Sequence, residues 1–155
     1  MTTGGFDPQY DNPSSTVQPG ALLPRFLARV IDGVIVNIVL WIALFALNMQ
    51  SSILVTGLFT GVLMFAYFVA FEVTKGWTPG KKVLGLSVRG PGGAAKPDLS
   101  QSATRNAFAL LPVVPFIGGL LGVIAIIVIA VTISGSPTKQ GKHDELAGGT
   151  QVLKG

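Results

Sequence analysis

Cysteine is absent from the 155 residues, and histidine occurs once, as His143. Without thiols there is neither a disulfide framework nor a thiolate metal site. A single imidazole with no partner pattern supports neither a zinc site nor a catalytic triad. Charge is scarce as well: 12% of residues are charged, against about a quarter in a soluble domain. With 49% hydrophobic residues and a mean hydropathy of +0.61, the balance points to an integral membrane protein. No basic residue precedes Arg25, so residues 1–23 lack the basic start and apolar core of a signal peptide. Their Gly, Pro, Ser, Thr and Gln content reads as a disordered cytoplasmic tail, which leaves residues 24–153 as a transmembrane domain.

From Gly33 to Phe71 there is no charged residue at all. As one helix this run would measure about 58 Å, close to twice a ~30 Å hydrocarbon core. It therefore predicts two antiparallel spans, at about 27–47 and 52–73, with a turn near Asn48, Gln50, Ser51 and Ser52. Glu72, at the end of the second span beside Lys75, reads as an interfacial residue that snorkels. A later apolar run, about 107–133, is longer than one perpendicular span and too short for two. Pro112, Pro115 and the Gly118-Gly119 pair can bend it. It is either a single tilted span, or two half-helices, or a helix that opens near Ser102 and turns around Gly118. The small-xxx-small pairs Gly57/Gly61 and Gly118/Gly122 let helices approach closely. The whole is an all-α polytopic membrane protein with three to four transmembrane or half-membrane helices.

The net charge of +4 does not point to nucleic acid, because the basic residues flank apolar spans and no aromatic-interleaved basic patch occurs. Arg25, Arg29, Lys75, Lys81, Lys82, Arg89, Lys96 and Arg105 all fall on one side of the first helix hairpin. By the positive-inside tendency, that side and the N-terminus are cytoplasmic. Lys139, Lys142 and Lys154 favour returning the C-terminal segment to the same side. In the long basic loop, GWTPGKK reads as a turn whose lysines touch anionic lipid headgroups. The stretch KVLGLSVRG contains a short extended piece, and Asp98 with Gln101 forms a capping box for a helix running through Arg105.

Three charges stand out at the start of the first span. At 100° per residue, Arg25, Arg29 and Asp32 occupy a fan of roughly 60° on one helix face. An intramembrane acid costs about 2.5–3.5 kcal/mol unless it finds a partner or water. Asp32 is thus expected to meet a cation, from the same stripe or from the basic loop. The cluster serves either as a structural ion pair or as a cation or proton site.

RFLARVID, then GWTPGKKVLGLSV, then the RN of Arg105 and Asn106, and finally HDELAGGT occur in an order that resembles the RDD family of small bacterial membrane proteins, named for an arginine and two aspartates. The resemblance covers about Leu23 to Leu153. On it, the arginine corresponds to Arg25, with Arg29 the lesser match, and the aspartates to Asp32 and Asp144. The loop motif corresponds to Thr78, Pro79, Gly80 and Lys81, and Arg105, Asn106 and His143 form a second tier. One departure is the double glycine, Gly148-Gly149, before Thr150, where the family usually shows one. The resemblance implies a bacterial plasma-membrane protein that handles a small ion or solute, with cation/proton exchange described for some members.

A protein of this size would have to oligomerise to transport, since alternating access usually needs two repeats. The other reading is a non-transporting accessory or scaffold subunit of a larger membrane complex. No nucleophile and base pair, metal cluster or cofactor loop is recognisable, which argues against an enzyme and against a bound cofactor.

Overall fold

The computed structural model of the protein describes residues 17–49 and 53–155. The expected tail at 1–16, and Gln50, Ser51 and Ser52 of the expected turn, lie outside the described residues. Among the described residues, three helices are long and apolar enough to cross a membrane: Leu22–Ala46, Val55–Lys75 and Gly118–Gly135. The first two are α1, Leu22–Ala46, and α2, Ile53–Lys75, so each span starts or ends a few residues beyond the expected limits. In α1 the buried residues are Arg25, Ala28, Asp32, Val36, Leu40 and Leu44. Their spacing of three and four makes one stripe. The opposite side, including Phe26, Val30, Val34, Ile38 and Trp41, is exposed and apolar, as a lipid-facing surface must be.

The ambiguous run follows the third of its alternatives. The capping box at Asp98, whose carboxyl accepts from the Gln101 N–H at 2.8 Å, opens α4 at Leu99–Asn106. (The short helix α3, Pro79–Val83, precedes it.) The chain continues as a 3-10 segment, Ala107–Val113, with Pro112 inside. It then turns through Phe116 at φ 67° and returns as α5, Gly118–Gly135. Three glycines make room for this narrow inserted segment. A Cβ on Gly61 would collide with Val113, one on Gly118 with the Leu111 carbonyl, and one on Gly122 would sit 3.2 Å from the Pro112 ring. These small residues thus serve packing within the chain.

Because α5 runs back, both ends of the described chain meet at one end of the helices. There they form a small antiparallel sheet of β1 (Gln18–Pro19), β2 (Leu86–Arg89) and β3 (Gln151–Lys154), in the order β1-β3-β2. The register pairs Leu86 with Lys154 and Gln18 also with Lys154. Leu86, Val88 and Val152 pack on Ala28 of α1. Ordered structure therefore begins ahead of residue 24. Of the three strands only β2 is foreshadowed, by the longer alternating stretch KVLGLSVRG around it.

Candidate functional site

The polar interior lies where the sheet, the basic loop and the helix ends converge. Thr78 caps α3 and Pro79 occupies its first turn, so the loop motif is a short helix rather than a plain turn. That helix lies against α1 so closely that a Cβ at Gly80 would strike the Ala28 carbonyl and come within 2.9 Å of Asp32 Cγ. Only glycine permits this approach.

Asp32 is completely buried. Its Oδ1 accepts from the Tyr67 hydroxyl at 2.8 Å and from the Gly80 N–H at 2.7 Å, and its Oδ2 accepts from the Thr78 hydroxyl at 2.5 Å. The expectation that a cation meets Asp32 is corrected here: its hydrogen-bond partners are two hydroxyls and an amide. Arg29, on the same helix face, makes no ion pair with it. The Arg29 guanidinium lies 3.8 Å from the centre of the Phe68 ring and 4.6 Å from that of Phe108, and donates to Asn106 Oδ1 at 3.4 Å. Two aromatic faces hold this cation, which neither the spacing nor the charge pattern indicates.

The second aspartate does close on the arginine. Asp144, in α6 (Lys142–Leu146), is fully buried and meets Arg25 at 3.1 Å and Arg105 at 3.3 Å. It also accepts from the Thr150 hydroxyl at 3.1 Å and from the Gly141 N–H at 3.1 Å. The double glycine explains how Thr150 gets there: Gly148 and Gly149 have φ of 84° and 95°, in the left-handed region that other residues avoid. Burial works against the Asp144 carboxylate, but Arg105, then His143 and Arg25, outweigh it and hold the group down at about 2. The His143 ring packs edge-on against Phe108, and burial pushes it down to about 3, so it is neutral near pH 7.

A third centre was not expected. Glu72 does not snorkel to the interface; it is completely buried. It pairs with Lys81 and accepts from the Ser102 hydroxyl at 3.0 Å and from Asn106 Nδ2 at 2.9 Å. Lys81, expected at the headgroups, instead points inward, where burial holds its ammonium below its ordinary value against the pull of Glu72. Lys82, 5.0 Å from the Trp77 ring centre, is the exposed lysine of the pair. The only advance sign of Glu72 is an acid one turn inside the end of an apolar span, with Asn106 and Lys81 both in the loop that folds back.

The expected cluster of Arg25, Arg29, Asp32 and Asp144 is therefore three linked centres: Asp32 with neutral donors, Asp144 with Arg25 and Arg105, and Glu72 with Lys81. Asn106 joins the third to Arg29. Among the described residues no group of three or more His, Cys, Asp or Glu side chains is arranged to hold a metal ion.

Among known protein families, the model of the RDD family matches the chain over residues 19–148. No curated protein and no solved structure matches the chain.

Proposed function

Because the chain belongs to the RDD family, we propose that it is a multi-pass protein of a bacterial plasma membrane, with both termini cytoplasmic, that moves a small ion or solute by loading and unloading Asp32. The observation that carries this reading is the donor set of Asp32. A buried carboxylate that accepts only from two hydroxyls and an amide has no fixed cation at contact distance, which leaves that place for a small ion. Tyr67 and Thr78 suit either state, since a hydroxyl can donate to the carboxylate or accept from the protonated acid. The reading assigns no enzymatic chemistry, and it makes a homo-oligomer the working unit.

Reconstitution into vesicles with a trapped pH indicator tests it. An imposed Na⁺ or K⁺ gradient should drive proton flux with the wild-type protein, and Asp32→Asn should fold and abolish it. A second reading, a non-transporting accessory or scaffold subunit, is favoured by the complete closure of Asp32 to solvent. Absence of flux in the wild type under every cation gradient would sink the transport reading and leave that one.

The cytoplasmic assignment rests on the eight basic residues gathered at the sheet end. The cysteine-free chain allows a direct check. A membrane-impermeant maleimide should label Met49→Cys in intact cells and Gly155→Cys only after permeabilisation. The reverse pattern would invert the orientation.

A further inference from the structure

Between α1 and α5, beside the Asp144 centre, lies a cavity of about 160 Å³. Its polar wall comprises Arg25, Arg29, Lys81, Arg105 and His143, and its apolar wall includes Phe26 and Ile126. Two buried nitrogens of this wall, Arg105 Nη1 and His143 Nδ1, have no hydrogen-bond partner among the described residues. The Arg105 side chain is only 5% exposed, so water outside cannot serve it. A buried guanidinium N–H without an acceptor is costly.

Charge bookkeeping points the same way. The three linked centres contain four cations, Arg25, Arg29, Lys81 and Arg105, and three acids, Asp32, Glu72 and Asp144. One positive charge is left over in a region of low dielectric. Arg29 makes no ion pair with any described carboxylate, and Arg105 uses Nε on Asp144 while Nη1 is spare. Arg29 and Arg105, with its spare nitrogen, both line this one cavity.

We propose that the cavity binds the phosphate of an anionic phospholipid. Its volume equals about five times the ~30 Å³ share of a liquid water molecule, enough for a phosphate group and too small for a whole lipid. The acyl chains then remain outside, and the cavity offers them a path: Phe26 and Ile126, on facing helices, are each more than half exposed to the lipid side. Arginine forks suit phosphate oxygens, and the four cations repel a headgroup that carries its own choline. This site is separate from Asp32 and does not depend on transport.

The test uses the full-length chain in mild detergent, titrated with dioctanoyl phosphatidylglycerol, dioctanoyl phosphatidylcholine or inorganic phosphate. Phosphatidylglycerol should bind saturably, one per chain, at least tenfold more tightly than either of the others. Ala130→Phe, which fills the cavity from α5 without touching an ion pair, should weaken that binding at least tenfold while leaving the folded yield unchanged. Arg105→Gln should weaken it too, and where it lowers folded yield, the Ala130 variant decides. Equal binding of phosphatidylcholine, equal binding of inorganic phosphate, or unaltered phosphatidylglycerol binding by a folded Ala130→Phe protein would each overturn the proposal.

Discussion

Asp144→Asn is expected to destabilise the protein by roughly 3–5 kcal/mol, the usual penalty for removing one partner of a buried ion pair. Two cations are affected at once: Arg25 at 3.1 Å and Arg105 at 3.3 Å both lose their carboxylate inside the protein. The new amide also presents donors where the Gly141 N–H and the Thr150 hydroxyl now donate. Detergent-solubilised variant should show a large loss of monodisperse protein and a lowered unfolding midpoint. Glu145→Gln is the control one residue away. Its pair with Lys142 is more than half exposed on both sides, and such pairs contribute about 0–1 kcal/mol. Equal behaviour of the two variants would show that the Asp144 centre does not hold the C-terminal segment.

The same centre sets the acid response. Asp144 is at about 2 in the folded protein against 3.8 ordinarily. Its contribution is complete above about pH 3.8 and is lost as pH falls through about 2. His143 is at about 3 against 6.5. Between these values the unfolded chain binds the extra proton, so stability declines as pH falls from about 6.5 to about 3. Acid titration of the wild type should therefore begin to weaken it well above the carboxylate range, and His143→Gln should remove that upper portion alone.

The helices were legible because their signals are long and redundant: a charge-free run twice the bilayer thickness, a capping box, and a proline-broken apolar segment. Arg25 and Asp144 were singled out together only through family resemblance, since a sequence separation of 119 residues carries no local signal. Asp32 was legible as a buried acid but not in its partners. Electrostatic reasoning looks for a cation, whereas the structure supplies hydroxyls from Tyr67 and Thr78, and a hydroxyl announces nothing in a charge count. Arg29 shows the converse: its charge is obvious, but a partner made of two phenylalanine faces has no charge to find. Glu72 was misplaced because the end of an apolar span looks the same whether a residue there reaches water or meets a loop folding back. What decides between them is α3, whose close seat on α1 depends on one missing side chain.

That dependence gives the second large effect. Gly80→Ala places a methyl group against the Ala28 carbonyl, a backbone atom inside α1 that cannot swing aside, and about 3 Å from the Asp32 carboxyl. α3 must therefore lift away from α1. Overpacking of this kind costs about 1–3 kcal/mol. Lifting also withdraws the Gly80 N–H and the Thr78 hydroxyl from Asp32, each a further loss of about 1–3 kcal/mol when a buried acceptor is left unserved. Lys81 rides on the same short helix, so the Glu72 centre is disturbed in the same movement. Gly57→Ala is the comparison, since a Cβ there meets nothing within 4 Å, and alanine is about 1 kcal/mol better than glycine inside a helix. The Gly80 variant should lose several kcal/mol of stability and the Gly57 variant none, measured as unfolding midpoints in one detergent. A Gly80→Ala protein as stable as the wild type would mean that α3 is not clamped on Asp32, and that the carboxyl has room to take water or an ion beside its three donors.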